Sequence, residues 1–88
     1  MSDRKPETTF RHRNVKAAVW QNEGGKFGVF YNVTFQRSYR EEDSKAWKNT
    51  QSFGAFDLFD LVRCALDAYV FIGNKMREHA QQSDETAA

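Results

Sequence analysis

FGVFYNVTFQRSYR, residues 27–40, decides the fold. Val29, Tyr31, Val33 and Phe35 share one parity, and Phe30, Asn32, Thr34, Gln36 and Ser38 share the other. Successive side chains of a strand point to opposite sides, so this alternation predicts a strand with one apolar and one polar face. A sheet made of such strands is covered on one side only. A strand of this length favours a bend or bulge, expected near residues 37–39.

Toward the N-terminus, residues 15–22 repeat the pattern: Val15, Ala17 and Val19 alternate with Lys16, Ala18 and Trp20. Asn22-Glu23-Gly24-Gly25-Lys26 carries the turn chemistry that joins the two strands. Arg11-His12-Arg13 is a basic cluster, and residues 1–9, MSDRKPETT, read as a flexible tail. Toward the C-terminus, Glu41-Glu42-Asp43-Ser44-Lys45 reads as a solvated loop. A third strand follows over 46–53, anchored by Trp47 and Phe53 with Lys48, Thr50 and Ser52 alternating against them. A fourth strand would have to come from residues 9–14 or from a break in 27–40.

Gly54 ends the sheet region, and residues 55–77 read as one helix, on the order of 30 Å long. Leu58, Leu61, Val62, Ala65, Tyr69, Ile72 and Met76 have helical spacing and form the expected core stripe. Asp57 and Asp60 suit the positive end of the helix dipole, and Lys75 and Arg77 the negative end. Gly73-Asn74 offers an earlier stop. The resulting class is α+β: an antiparallel sheet of three to four strands followed by one long C-terminal helix. A single domain over 10–78 lies between the flexible tail 1–9 and a frayed polar tail 79–88.

That helix is too apolar for one interface. Phe59, Leu66 and Val70 form a second stripe, with Phe56 and Phe71 at its edges. One helix on one sheet needs one apolar stripe, so the second predicts a symmetric dimer packed helix on helix. Eighty-eight residues make one small domain with a marginal core, the size at which association is a common source of stability.

Composition narrows the chemistry. Cys64 is the only cysteine, which rules out an intramolecular disulfide and suits a reducing cytoplasm; it reads as a small buried hydrophobe. No apolar run approaches the roughly 20 residues that span a bilayer, and no secretory signal is expected. His12 and His79 have no identifiable partner for acid–base work, and two histidines with one cysteine give no metal-ligand spacing. Gly24-Gly25 does not form a phosphate-binding loop. Neither a catalytic step nor a small-molecule cofactor is therefore expected. Charge is uneven: residues 1–40 hold eight Lys/Arg against three acids, and residues 41–88 five against nine. An anionic partner would meet the sheet side.

Lys16, Trp20, Phe30, Asn32, Thr34 and Gln36 should share the open sheet face, joined by Lys48 and Thr50. Arg11, Arg13, Arg37, Tyr39 and Arg40 are placed to rim it. Rings that stack on bases, cations that meet phosphates, and amides and hydroxyls that bond base edges are the mixture that binds single-stranded nucleic acid. The same aromatics could instead dock a protein partner.

The stretches VKAAVWQNE, FGVFYNVTFQRSYR and WKNTQSF, followed directly by one long helix, resemble PC4-like single-stranded-DNA-binding domains, related in fold to the Whirly proteins. The resemblance covers roughly residues 15–76. It implies a curved four-stranded antiparallel sheet, a dimer formed through the helices and a role in transcription regulation. It also implies single-stranded DNA across the sheets, held here by Lys16, Trp20, Phe30, Arg37, Tyr39, Arg40, Trp47 and Lys48.

Overall fold

The computed structural model describes residues 4–25 and 28–87. In chain order it holds β1 (Thr8–His12), β2 (Val15–Glu23), β3 (Val29–Arg40), β4 (Trp47–Thr50) and α1 (Asp57–Ala87). The strands form one antiparallel sheet in the order β1-β2-β3-β4. The chain is thus α+β, an open antiparallel sheet followed by one C-terminal helix, as the alternation and helical spacing predict.

The register sets the core. Val15, Ala17 and Val19 of β2 lie opposite Arg37, Phe35 and Val33 of β3, and opposite His12, Phe10 and Thr8 of β1. Directly paired residues point to the same side, so this set forms the face that α1 covers. Val15, Ala17 and Cys64 are fully buried there, with Val33, Phe35, Phe53 and Leu61 packed around them.

Four contacts trace the helix along the sheet. Asp57 meets Arg37 at one end, with Oδ2 3.4 Å from Nε. Cys64 Sγ donates to the Val15 carbonyl at 3.5 Å. Phe71 packs edge-on against Phe10, with ring centroids 6.1 Å apart. His79 Nε2 lies 3.0 Å from the Tyr31 hydroxyl at the far end. The Asp57 carboxylate also reaches back to accept the Gly54 amide at 2.9 Å, as the third-position side chain of a capping box does at a helix start.

Several boundaries differ from the sequence reading. The fourth strand is β1, and it takes up Thr8 and Thr9 from the stretch read as a tail. β4 is shorter than 46–53, because the Ser52 amide turns to Thr50 Oγ1 and the Ser52 carbonyl accepts Arg37 Nε. The expected bulge is absent among the described residues: β2 pairs continuously with β3 from Val15–Arg37 to Glu23–Val29, and residues 37–40 continue onto β4. The helix passes through Gly73-Asn74 and includes residues read as a frayed end. Of the β2–β3 turn, Lys26 and Phe27 lie outside the described residues. Gly25 takes φ +80°, and a Cβ there would stand 3.2 Å from the Val29 carbonyl oxygen, so only glycine suits that position.

The helical phase is also corrected. Cys64 and Ala68 are buried, with Leu61, Phe71 and Ile72 half-buried beside them. Leu58, Val62 and Tyr69, read as core, are exposed. Both stripes are apolar, so spacing did not separate them. The stripe with the smaller side chains at its centre faces the sheet, because Cys64 and Ala68 let the helix come close.

Candidate functional site

The side of the sheet away from the helix is built by the other parity. Pairing places Lys16, Trp20 and Asn22 of β2 with Gln36, Asn32 and Phe30 of β3, and Arg11 of β1 beside Lys16. Arg40 pairs with Trp47, and Ser38 with Asn49. The charged strand residues on this face are Arg11, Lys16 and Arg40, all cations. Every carboxylate of the described strands and helix lies elsewhere. The even-numbered alternation in β3 was the signal that located this face, and Lys16, Trp20, Phe30, Asn32, Thr34 and Gln36 share it as expected.

Hydrogen bonds across the strands hold the polar groups in place. Trp20 Nε1 donates to Thr34 Oγ1 at 2.9 Å, and Asn22 Nδ2 donates to Asn32 Oδ1 at 2.9 Å. Ser38 Oγ donates to Asn49 Oδ1 at 3.0 Å. Trp47 is 65% exposed and Phe30 47% exposed. From Trp20 to Trp47 the face runs eight residues along β3, from Asn32 to Arg40, or about 27 Å. Arg11, Asn14, Ser38 and Trp47 surround a shallow depression at one end of this track.

Arg4 was missed by sequence reading. Its guanidinium donates to the Gln21 carbonyl and to Asn22 Oδ1, both at 2.6 Å, and stacks 5.3 Å from the centre of the Trp20 ring. Nothing in the aperiodic segment around it signals this; the contact exists only because β1 brings the segment alongside β2.

Five expected members of the face and its rim are placed differently. Lys48 and Thr50 pair with Tyr39 and Arg37, so all four share the helix side. The one-residue shift puts Trp47 and Asn49 on the open face instead. Arg37 bonds the Ser52 carbonyl at 2.8 Å and stacks on Tyr39 at 5.7 Å. Lys48 Nζ lies 3.3 Å from Glu41 Oε2. Bonds from Ser44 and then Lys48 hold the Glu41 carboxyl below the usual carboxylate range. Arg13, expected at the rim, turns toward the helix, 3.7 Å from Asp60.

Both histidines have partners that the sequence did not reveal. His12 Nε2 lies 2.7 Å from Asp67 Oδ2, and His79 meets Tyr31, whose hydroxyl also donates to Gln21 Oε1 at 3.1 Å. These are ties between helix and sheet. Burial, with Glu7 and Glu78 adding to it, pushes the Tyr31 hydroxyl up. The Cys64 thiol is fully buried, and burial raises it, so it is poorly suited to act as a nucleophile. Among the described residues no cluster of His, Cys, Asp or Glu could hold a metal ion, and no helix is long and apolar enough to cross a membrane.

The outer side of α1, with Phe56 just before its start, is the second exposed feature. Phe56 is 88% exposed, Phe59 83% and Tyr69 75%, with Leu58, Val62, Leu66 and Val70 also exposed. Phe59, Val62, Leu66, Tyr69 and Gly73 follow alternating steps of three and four, the spacing of a helix-pairing seam. At about 100° per residue this line lies roughly 140° from the buried one. Of the five residues expected in a dimer contact, Phe56, Phe59, Leu66 and Val70 are exposed there. Phe71 is not; it is half-buried against Phe10 of its own sheet.

No protein-family model, curated protein or solved structure matches this chain.

Proposed function

We propose that this chain is a homodimeric, non-enzymatic protein that binds single-stranded nucleic acid, with single-stranded DNA the first candidate, on its open sheet face. One observation carries the reading: the face combines Trp20, Phe30 and Trp47 with amides and hydroxyls, and its strand charges are cations only. Stacking on exposed rings is tolerant of sequence, and cations track the phosphates, so such a face suits a flexible single strand. A duplex reader would instead present a helix to the major groove, whereas α1 packs one side on the sheet and leaves the other apolar.

The resemblance to PC4-like domains supports the same reading, together with a role in transcription regulation, and the order of four antiparallel strands and one helix agrees with it. Arg11, Lys16 and Arg40 would meet phosphates, Trp20, Phe30 and Trp47 would stack, and Asn32, Thr34 and Gln36 would bond bases or sugars. Pairing of the Phe59–Gly73 seams in a second copy would cover the apolar side of the helix. The single buried thiol supports a reducing, cytoplasmic setting.

A labelled single-stranded oligonucleotide, titrated by fluorescence anisotropy at low and moderate salt beside a duplex control, tests the proposal. Saturable binding that prefers the single strand and weakens with salt is the expected result. No binding at low salt by the folded protein overturns it, and the exposed aromatics would then serve a protein partner.

A further inference from the structure

A cavity of about 210 Å³ lies on the open face above Ala18. Its shape follows from the register. Ala18 is the smallest side chain among the strand residues of that face. Thr9 of β1 and Thr34 of β3 stand opposite it on either side. Lys16 and Trp20 stand two residues before and after it on β2, and Gln36, with Pro6 of the segment before β1, completes the wall. One alanine ringed by larger side chains leaves a pit in an otherwise filled surface. Trp20 lines one side of this pit, with Arg4 stacked on its ring.

The hydrogen bonds around the pit give it polarity. Trp20 Nε1 donates to Thr34 Oγ1, so a Thr34 lone pair is used while its hydroxyl proton is free to donate elsewhere. Lys16 can only donate. Thr9 and Gln36 can each donate or accept. The wall therefore favours a ligand that brings acceptors, while the indole favours a planar ring.

We propose that the pit over Ala18 receives one base of the bound strand, and that it selects bases rich in carbonyl acceptors, thymine or uracil, over adenine. The proposal rests on the nucleic-acid reading of the open face and adds a specificity-determining subsite to it. Trp20 stacks on or flanks the base, Thr34 and Lys16 donate to its carbonyl oxygens, and Ala18 supplies the space.

Ala18→Leu tests this, because it fills the pit while keeping every cation and aromatic ring of the face. Thymine and adenine homo-oligomers of equal length are titrated against wild type and variant, with circular dichroism to verify the fold. The wild type should prefer the thymine strand by roughly threefold to tenfold, the size of one net hydrogen bond. Ala18→Leu should lose that preference. Thr34→Val, which removes the hydroxyl at nearly constant volume, should reduce it too, and it decides the matter if Ala18→Leu does not fold. Wild-type binding with a preference that neither variant changes, or with a preference for adenine, overturns the pit and leaves the wider face standing. Failure of the wild type to bind either strand overturns the nucleic-acid reading itself.

Discussion

The two exposed surfaces of this chain are opposite in chemistry. The open face of the sheet is a lattice of cross-strand hydrogen bonds, such as Trp20 to Thr34 and Asn22 to Asn32, with cations among them. The outer line of the helix is Phe59, Val62, Leu66 and Tyr69, without a polar partner between them. Water can satisfy the first surface but not the second. The contrast is sharper because the buried core is made of small residues: Val15, Ala17, Val19, Cys64 and Ala68 are inside, while four of the larger aromatics, Trp47, Phe56, Phe59 and Tyr69, stand outside. The two surfaces therefore differ in what could cover them: apolar side chains for the helix line, and polar or charged groups for the sheet face.

The largest expected effect is on the helix. Val62→Glu with Leu66→Glu should convert a dimer into a monomer in sedimentation velocity, since a carboxylate left unpaired in an apolar contact costs about 3–5 kcal/mol. A variant that sediments as the wild type does would show that the outer line is not the contact. Next comes the sheet. Trp20→Ala with Phe30→Ala should weaken oligonucleotide binding by about 1–3 kcal/mol for each base that loses its stacking, with the folded state retained by circular dichroism. Unchanged affinity would remove the sheet-face reading.

A smaller effect separates the two sides of the sheet itself. Lys16→Ala should reduce the logarithmic salt dependence of binding by about 0.7, one phosphate contact to a single strand. Lys48→Ala should leave it unchanged, because Lys48 is on the helix side, engaged with Glu41. Equal effects would mean that the ligand does not respect the pleat. The smallest effect is on pH response. Burial raises the Cys64 thiol in the folded state, so its contribution is fully present below the unfolded value, about pH 8.5, and is lost as pH rises through the folded one. The urea midpoint of the wild type should therefore fall more between pH 8 and pH 10.5 than that of Cys64→Ala.

The alternation of residues 31–36 was legible because polar and apolar side chains recur there in turn, and together with the alternation of 15–20 it placed Lys16, Trp20, Phe30, Asn32, Thr34 and Gln36 on one face. Residues 37–50 were harder. Arg37, Tyr39 and Lys48 have the composition of a binding rim, yet Arg37 and Tyr39 keep the odd parity of β3 because no bulge interrupts it, and the β3–β4 register, which no local signal sets, puts Lys48 on the same helix side. Trp47 illustrates the same point: an aromatic in a strand reads as an anchor, but it pairs with Arg40 and faces outward. In the helix, apolar residues on most sides blurred the phase, and the small side chains of Cys64 and Ala68 decided it.

Local periodicity was enough to set the class of fold, the polarity of the two sheet faces and the excess of apolar surface on the helix, because strand and helix periods act over a few neighbouring residues. Only the tertiary structure decided which helical stripe is buried, that His12 meets Asp67 and His79 meets Tyr31, that Arg4 covers Trp20, and that a pit opens over Ala18. Each of these joins residues distant in the chain, and such contacts depend on strand pairing and close packing, which no local period encodes.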